Sequence, residues 1–276
     1  MNNWKHGTPK VAFVSGGGSG IGLNLTRALL ADGAAVAIFD LKVDDALLND
    51  LHGISPHVRV ERYLVDITDP DAVEKAMDEA ARALGAPDFA INCAGILRTA
   101  VFAEMSYALF DQTMQVNLYG SRNFAAGVLR HMQPGGHLAL IASLAGMCGS
   151  YTHGAYATSK FAVVGLAEVL RTELKPKGID VSVVCPGEIQ TPMLAEERRV
   201  GSKVTEIVNE FAGVLPVEVA VQGMLDGLRR RTFMITPGFK ARLTRYLARS
   251  HTGLFRWVVD RKVAKALALY GDRRTV

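Results

Sequence analysis

The chain has 276 residues, of which 49% are hydrophobic and 21% charged, a composition that suits one large α/β domain or two small ones. It excludes a disordered chain, and because no apolar run reaches about 18 residues, we expect no membrane-spanning helix. The three cysteines, Cys93, Cys148 and Cys185, lie far apart without metal-ligand spacing. The N-terminal residues also lack the apolar stretch of a signal peptide, so we predict a cytoplasmic protein without a metal site.

The net charge of +4 is unevenly distributed along the chain. Residues 1–215 hold 18 Lys and Arg against 23 Asp and Glu, whereas residues 216–276 hold 13 against 4, giving net charges of −5 and +9. A basic segment of this kind has three possible roles: it can be a nucleic-acid-binding module, it can bind an anionic membrane, or it can be a solvated helix face without a partner. No nucleic-acid-binding motif accompanies it, so we expect no nucleic acid partner.

Segments typical of strands and of helices alternate along the chain. Strands are predicted at 10–16, 34–40, 57–66, 88–95, 136–146, 179–187 and 232–237, and helices at 21–33, 44–52, 69–85, 105–132 and from the YATSK stretch to about 175. Apolar strands that are each followed by a helix indicate a parallel sheet covered on both faces. We therefore predict an α/β fold with a single doubly wound, Rossmann-type sheet. Residues 1–215 would form the main body of this domain, and residues 216–276 would complete it with the last helix and strand and add a basic helical extension.

A glycine-rich stretch, SGGGSGIG at 15–22, lies between the first predicted strand and the first helix. Gly16, Gly20 and Gly22 fit the spacing G-x-x-x-G-x-G, which lets the backbone approach a pyrophosphate at the positive N-terminus of a helix. Asp40 ends the second strand, where a carboxylate can accept hydrogen bonds from ribose hydroxyls and would repel the 2′-phosphate of NADP. The alternatives are a plain glycine turn and a solvated strand-end acid.

The stretch YATSK, 156–160, begins an apolar helical pattern. Tyr156 and Lys160 are four residues apart and so share one helix face. A tyrosine acts as a base near pH 7 only if its pKa falls by about 3 units, which requires roughly 4 kcal/mol of preference for the phenolate. A neighbouring ammonium in a partly desolvated site favours the phenolate. The alternative is a surface pair whose polar tips reach water.

The order SGGGSGIG, NCAG at 92–95, Asn117, Ser143, Tyr156-x-x-x-Lys160 and PGEIQT at 186–191 resembles the short-chain dehydrogenase/reductase family over roughly residues 8–195. The resemblance implies that Tyr156 is the general acid/base, that Lys160 binds the nicotinamide ribose and lowers the tyrosine's pKa, that Ser143 polarises the substrate carbonyl, and that Asn117 holds a water of a proton relay. It also implies an NAD site at Gly16, Ser19, Gly20, Ile21, Gly22, Asp40, Asp66, Ile67, Asn92, Ala94, Gly95, Tyr156, Lys160, Pro186, Gly187, Ile189 and Thr191. Among these, Asp66 would reach the adenine and Thr191 the carboxamide. Cys93 stands where the family more often has a second Asn.

The implied reaction is hydride transfer between NAD(H) and a secondary alcohol or ketone. Residues 1–215 would accordingly be the dinucleotide-binding catalytic domain. The residues that we expect to line the substrate pocket are mostly apolar or small, with no Lys or Arg placed for a carboxylate: Ile96, Leu97, Ala145, Met147, Cys148, His153, Glu188 and Met193. They favour a hydrophobic or lipid-like substrate, and His153 is either a polar contact or a helix cap. The alternative function is a catalytically inactive NAD(H)-binding sensor or scaffold. Family members commonly assemble through two long helices, here 105–132 and 156–175, so a homodimer or homotetramer is expected.

The C-terminal segment shows two apolar stripes among basic residues. One contains Phe239, Leu243, Tyr246 and Leu247, and after a break at Thr252-Gly253 the other contains Phe255, Val258, Val259, Val263, Leu267 and Tyr270. Such a basic amphipathic pattern, with Trp257 near its middle, either packs on the domain or a second subunit or lies on an anionic membrane through residues 238–270. The segment resembles that of bacterial 3-ketodihydrosphingosine reductase-like members of the family. Those enzymes generally use NADPH, from which Asp40 departs.

Overall fold

Nine strands occur in residues 4–271, the part of the chain that the computed structural model describes. They are β1 (Val11–Ser15), β2 (Ala35–Asp40), β3 (Val60–Leu64), β4 (Phe89–Asn92), β5 (His137–Ile141), β6 (Asp180–Val184), β7 (Glu188–Ile189), β8 (Val214–Leu215) and β9 (Met234–Ile235). Seven of them form one sheet in the order β3-β2-β1-β4-β5-β6-β9, with every neighbouring pair parallel. The strand order reverses direction between β1 and β4, which opens a crevice at the carboxyl ends of these strands.

Helices cover both faces of the sheet. They are α1 (Gly20–Ala31), α2 (Asp45–Ile54), α3 (Pro70–Leu84), α4 (Tyr107–Met114), α5 (Gly120–Leu129), α6 (Gly154–Leu174), α7 (Pro192–Val200), α8 (Lys203–Asn209), α9 (Val217–Arg229), α10 (Phe239–Ser250) and α11 (Thr252–Tyr270). One face carries α1, α2 and α9, with Leu29 and Met224 in its core; the other carries α3, α5 and α6, with Phe124 in its core. The predicted doubly wound fold is confirmed.

The long helix predicted at 105–132 is interrupted. A π-helical turn at Gln115–Tyr119 separates α4 from α5, and Asn117 lies within it, fully buried. Apolar periodicity does not reveal a turn with one extra residue, because the stripe continues on both sides of it. The π turn offsets α5 from α4 and places the Asn117 side chain against the chain that follows β4.

Several strands are shorter than predicted, most clearly β5. It ends at Ile141 rather than continuing to 146, because Ser143 caps a short 3₁₀ turn at Leu144–Gly146. The chain likewise leaves the sheet at Asn92 and Val184, so the apolar residues that follow these strands belong to loops at the crevice. Between 188 and 215, where no element was predicted, the structure has α7, α8 and the small parallel pair β7–β8.

The two C-terminal stripes have different environments. The stripe of α11 packs against α8, with Val259, Val263 and Leu267 around the buried Ala266. The stripe of α10 instead faces outward, with Phe239 72% and Tyr246 55% exposed. Within the described part of the chain, no helix combines the length and apolar character needed to cross a bilayer. Residues 272–276 of the predicted extension lie outside the described range.

Candidate active site

The glycine-rich loop lies between β1 and α1, at the crevice. Gly16 and Gly20 have φ angles of +63° and +51°, which favour glycine, and a Cβ on Gly16 would lie 2.7 Å from the Ala94 nitrogen. A Cβ on Gly22 would overlap the Gly16 carbonyl oxygen. The loop is therefore closed tightly on itself and against the turn after β4, and its backbone is bare where a pyrophosphate would approach the N-terminus of α1. Ser19 precedes this helix without capping it through its side chain.

Asp40 lies at the carboxyl end of β2, directly beside this loop. Its Oδ2 accepts a hydrogen bond of 2.9 Å from the Gly18 N–H, and Oδ1 accepts one of 3.3 Å from the Lys42 N–H. A Cβ on Gly18 would lie 3.0 Å from Oδ2, so the glycine makes room for the carboxylate. The glycine cradle and an adjacent acceptor fit the pyrophosphate and adenosine ribose of a nicotinamide dinucleotide.

Asp66 and Ile67 follow β3 and differ in burial. Asp66 is exposed, and its Oδ1 accepts hydrogen bonds of 2.9 and 2.8 Å from the backbone and hydroxyl of Thr68. Ile67 is buried, and its carbonyl accepts a hydrogen bond of 3.0 Å from Asn123. Asp66 thus has free carboxylate surface for a ligand, whereas the Ile67 side chain belongs mainly to the core.

Asn92 has a different local role from its neighbours. It is buried, it accepts a hydrogen bond from the Ser15 hydroxyl, and it donates one of 2.8 Å to Ser121, so it joins β1, β4 and α5. Ala94 and Gly95 follow in the turn that meets the glycine-rich loop. The two small residues leave the backbone open to the crevice, while Asn92 holds the strands beneath it.

The Asn117 side chain fixes the chain that follows β4. Its Oδ1 accepts a hydrogen bond of 2.8 Å from Ile96 N–H, and its Nδ2 donates to the Ile96 carbonyl at 3.0 Å and to Ser159 at 2.9 Å. A Cβ on Gly95 would lie 3.1 Å from Oδ1 and 3.4 Å from Lys160 Nζ. The buried amide therefore positions the loop between the glycine-rich stretch and α6.

Ser143, Tyr156 and Lys160 meet at the carboxyl end of β5. The Ser143 hydroxyl oxygen accepts a 3.1 Å hydrogen bond from Ala145 N–H, and its side chain also hydrogen-bonds Tyr156. Lys160 lies one turn after Tyr156, with Nζ 5.7 Å from the tyrosine ring centroid and donating to the Ile141 carbonyl at 3.0 Å. The inward-facing Tyr–Lys pair predicted from the sequence is present.

Burial dominates the titration of these groups. It raises the pKa of Tyr156, and the hydrogen bond from Ser143 only partly offsets this by stabilising the phenolate. Burial also lowers the pKa of Lys160 to about 8, against the opposing influence of Cys185 and Cys93. The family resemblance implies a lowered pKa for Tyr156. Without a bound cofactor the pKa is raised instead, because the effect of burial is larger than the effect of the Ser143 hydrogen bond.

The segment after β6 closes the crevice opposite the glycine-rich loop. Pro186, Gly187 and the buried Ile189 line the pocket described next, and Thr191 faces Gly20 across the crevice, its Cγ2 3.8 Å from where a Cβ of that glycine would be. The Thr191 side chain also caps α7, accepting a 3.4 Å hydrogen bond from the Leu194 N–H. This places the predicted residues on both sides of one cleft.

A pocket opens from Ser143, Tyr156 and Lys160. Seven of the eight side chains expected around the substrate line it: Ile96, Leu97, Ala145, Cys148, His153, Glu188 and Met193. The placement of Met147 was wrong, because it packs against the core on the α6 side of the sheet. Cys93 also lines the pocket, and burial raises its thiol pKa, so it is a neutral small residue there.

The outer wall of the pocket comes from segments without any motif. It is built from α7, α8, the chain after α8, and α11: Leu194, Glu197, Val208, Asn209, Phe211, Ala212, Phe255, Val258, Val259 and Lys262. Lys262 of α11, which was not among the residues expected around the substrate, also lines the pocket, with its Nζ 5.4 Å from the Phe211 ring centroid. For Phe255, Val258 and Val259, the apolar periodicity of the sequence had indicated a shared helix face, but not that this face lines the pocket.

His153 immediately precedes α6 but does not cap it. Its side chain makes no hydrogen bond to the first turn, although the backbone carbonyl accepts one of 2.7 Å from Ala157. The ring is buried in the pocket wall, with its centroid 5.7 Å from that of Tyr156. Of the two interpretations of this residue, the capping role is excluded.

The chain matches the family model "short chain dehydrogenase" over residues 10–200. It is 32% identical over 225 residues to 3-ketodihydrosphingosine reductase of Mus musculus, covering 78% of this chain and 68% of that protein. A protein of the same name from Dictyostelium discoideum is 29% identical, covering 95% of this chain and 84% of its own length. The 3-oxoacyl-[acyl-carrier-protein] reductase FabG of Thermotoga maritima is 31% identical over 67% of this chain and 76% of its own.

Among solved structures, one similar to this chain is a putative short-chain dehydrogenase from Novosphingobium aromaticivorans. It has a TM-score of 0.70 and 27% identity and covers 93% of this chain and 87% of its own. With the glycine cradle, the Ser143–Tyr156–Lys160 cluster and the family match over more than half of its length, the chain belongs to the short-chain dehydrogenase family and is an oxidoreductase that uses a nicotinamide cofactor.

Proposed function

We propose that the protein catalyses hydride transfer between NAD(H) and a hydrophobic, lipid-like ketone or secondary alcohol. The observation that carries this proposal is the position of Tyr156 and Ser143 at the floor of a largely apolar pocket beside the glycine cradle. The bound nicotinamide would supply the hydride in reduction and accept it in oxidation. The cofactor would be held by the loop of residues 16–22, by Asp40, by Thr191 and by the other cofactor-binding residues predicted from the sequence.

The protein groups supply the proton. In reduction the Tyr156 hydroxyl transfers its proton to the carbonyl oxygen, while the Ser143 hydroxyl, which accepts from Ala145, donates a hydrogen bond to the same oxygen and keeps its proton. Lys160 stabilises the resulting phenolate through its charge, and Asn117 holds the water through which the proton is restored from solvent. Burial raises the pKa of Tyr156, so in the protein without cofactor the phenolate is disfavoured relative to free tyrosine.

The substrate class is supported by the pocket lining and by two relatives. The outer wall contributes Phe211, Phe255, Val258 and Val259, a surface suited to an alkyl chain. The relatives from mouse and Dictyostelium are named for reduction of 3-ketodihydrosphingosine, and the Thermotoga relative for a 3-oxoacyl group. Both names describe an oxo compound, and the apolar outer wall suits an alkyl chain, so we propose a long-chain ketone as the substrate.

Oxidation of NADH, followed by absorbance, tests the proposal with ketones of increasing chain length. We expect kcat/KM to rise with chain length until the pocket is filled, by up to about threefold to fourfold per buried methylene. NADH binding without turnover of any ketone or alcohol would instead favour the sensor or scaffold function. Turnover confined to short polar ketones would contradict the lipid-like substrate.

We further propose that α10 and α11 contact an anionic membrane surface near the pocket mouth. Phe239, Leu243 and Tyr246 are 72%, 41% and 55% exposed on α10, and Trp257 is 53% exposed on α11. Basic residues flank them, and the Arg261 guanidinium lies 4.4 Å from the Trp257 ring centroid. Exposed aromatic residues among cations favour a bilayer interface with anionic lipids. Since α11 also lines the pocket, a lipophilic substrate would enter from the membrane side.

Co-sedimentation with phosphatidylserine-containing vesicles tests this contact. We expect binding that weakens as salt rises and that is lost in a Phe239→Glu, Leu243→Glu double variant. The matched control is a Leu41→Glu, Leu64→Glu double variant, which places the same two charges at exposed apolar positions that follow or end β2 and β3, at the other end of the sheet. Absence of binding at low salt, or equal loss in the control, would contradict the membrane role.

A homodimer or homotetramer is proposed to form through the outer faces of α4 to α6. These faces expose Tyr107, Tyr119, Phe161 and Val169, which are between 46% and 83% exposed. Apolar groups of this size at one surface favour association between copies. Sedimentation analysis should show a multiple of the 29.7 kDa chain mass, and a Phe161→Glu variant should shift it toward the monomer.

A further inference from the structure

A histidine in the pocket wall is buried without a hydrogen-bonding partner. His153 is 5% exposed, and neither ring nitrogen has a hydrogen-bond partner among the described residues. Its ring centroid lies 5.7 Å from that of Tyr156, so it stands beside the group that acts on the carbonyl. The great majority of buried polar side chains have a partner, and an exception next to a reaction centre points to a ligand.

A carboxylate from another element faces this histidine. Glu197 on α7 is 5% exposed and lines the same pocket, with Oε1 3.9 Å from His153 Nε2. Among the described residues, His153 is its one ion-pairing partner within 4.0 Å. The other pocket carboxylate, Glu188, differs because it is paired with Arg198 at 3.0 Å. Glu197 therefore has no guanidinium or ammonium beside it.

The chain that carries His153 is held in one conformation. The preceding residue, Thr152, is buried with a φ of +61°, which a β-branched residue rarely adopts. Its hydroxyl lies 2.8 Å from the Thr205 hydroxyl of α8, which donates at 3.0 Å to the Tyr151 carbonyl. Helix α8 thus anchors the backbone segment that carries the His153 imidazole.

The gap between the two side chains has the geometry of a site for one small donor group. At 3.9 Å, His153 and Glu197 are too far apart for a direct hydrogen bond. A hydroxyl could donate to Glu197 and accept from a ring N–H, and an ammonium could donate to Glu197 and to an unprotonated ring nitrogen. A carboxylate would be repelled by Glu197, and an alkyl group would leave both polar groups unpaired.

We propose that His153 and Glu197 form a subsite that binds a hydroxyl or ammonium group of the substrate, carried close to the reacting carbon. The proposal rests on the function proposed above and makes these residues determinants of specificity. The substrate would be bifunctional at one end, with a carbonyl at Tyr156 and a hydrogen-bond donor at the His153–Glu197 subsite, and would extend its chain along the apolar outer wall.

Three alcohols of equal chain length test the subsite with NAD as oxidant. One is an unsubstituted secondary alkanol, and the others carry a hydroxyl or an amino group on the neighbouring carbon. We expect kcat/KM to be at least about tenfold higher for one or both substituted alcohols, because a site built to hydrogen-bond a group discriminates against the analogue that lacks it. Comparison of kcat/KM between the diol and the amino alcohol shows whether the subsite prefers a hydroxyl or an ammonium group.

Variants assign the preference to these residues. Glu197→Gln keeps the shape but removes the charge, Glu197→Leu removes the acceptor, and His153→Phe keeps a ring without nitrogens. In each, we expect the ratio of kcat/KM between the preferred and unsubstituted alcohols to fall toward one. Glu188→Gln is the matched control, because it changes a pocket carboxylate that has its own Arg198 partner. That variant should change the ratio by less than about threefold.

Two results would overturn the subsite: an unchanged ratio in the Glu197 and His153 variants, or wild-type protein without preference for either substituted alcohol. Failure of the proposed function gives a different result, since wild type would then turn over none of the three. In that case, calorimetry of the amino alcohol and the diol against the protein–NADH complex still tests the subsite. Binding that weakens at least about fivefold in Glu197→Gln supports it, and unchanged or undetectable binding overturns it.

Discussion

The charge of Asp40 should decide which nicotinamide cofactor binds. Its carboxylate is anchored by the Gly18 N–H at 2.9 Å, at the point where the adenosine ribose would lie. A phosphate charge about 4–5 Å away would be repelled by roughly 3–4 kcal/mol at an effective dielectric constant near 20. Because Asp40 is partly exposed, solvent and salt reduce this to about 1–3 kcal/mol. Wild-type protein should therefore bind NADH about 5- to 150-fold more tightly than NADPH.

The Asp40→Asn variant isolates the charge. The amide oxygen can still accept the hydrogen bond from Gly18, so the loop keeps its geometry, while the repulsion disappears and the ribose contacts weaken. Quenching of protein fluorescence gives both dissociation constants, and their ratio should fall at least about fivefold in this variant. Asp50→Asn is the control, since Asp50 is an exposed acid of α2 that pairs with Arg27 at 2.7 Å.

Tighter binding of NADPH by the wild type, or an unchanged ratio in Asp40→Asn, would refute this reasoning. Lys42 follows Asp40 by two residues, and its backbone N–H donates to the Asp40 carboxylate at 3.3 Å. Its side-chain ammonium would then be the next group to test as a partner of the 2′-phosphate.

Three further predictions concern catalysis, the cofactor loop and stability. Tyr156→Phe should lower kcat about 10²- to 10⁴-fold while the NADH dissociation constant stays within about twofold, and wild-type turnover in this variant would contradict its role as acid and base. Gly22→Ala should weaken NADH binding and lower the melting temperature, because the new Cβ overlaps the Gly16 carbonyl; Gly53→Ala, where nothing lies within 4 Å, is the control that should do neither. Burial lowers the pKa of His137 to about 3, so its contribution to stability is complete above about pH 6.5 and is lost as the pH falls toward 3. The free energy of unfolding should fall by up to about 1.4 kcal/mol per pH unit from this group below pH 6, and His137→Phe should make the slope shallower by that amount.

The sequence predicted the parts of the site that local patterns determine. Glycine spacing, the strand-end position of Asp40 and the i, i+4 relation of Tyr156 and Lys160 depend on residues near one another in the chain. The structure places these residues in one cleft, as expected. Their proposed contacts with the cofactor and substrate stay predictions.

The parts that could not be predicted depend on long-range packing or on an irregular turn. The π turn around Asn117 lies within a continuous apolar stripe, so the periodicity gave no indication of it. Met147 is only two residues from the lining residue Ala145, but the 3₁₀ turn directs it into the core. Glu197 and Lys262 reach the pocket from separate helices, and no motif relates either of them to Tyr156.

The pattern of α10 left open whether its large apolar residues pack on the domain. Small residues, Ala241, Thr244 and Ala248, form its buried face, whereas the large apolar residues point outward. A hydrophobic stripe identifies a face that avoids water in some environment, but it does not say that the environment is the protein's own core.

The origin of the pocket wall has a consequence for how substrate preference could change over evolution. The family model ends at residue 200, yet Phe255, Val258 and Val259 of α11 stand across the pocket from Tyr156. The groups proposed to transfer the proton and this part of the pocket wall are thus encoded in separate stretches of the chain. Exchange of the terminal helices between homologues could then retarget the enzyme to ketones of another size while Ser143, Tyr156 and Lys160 remain untouched, so that selectivity and chemistry diversify independently.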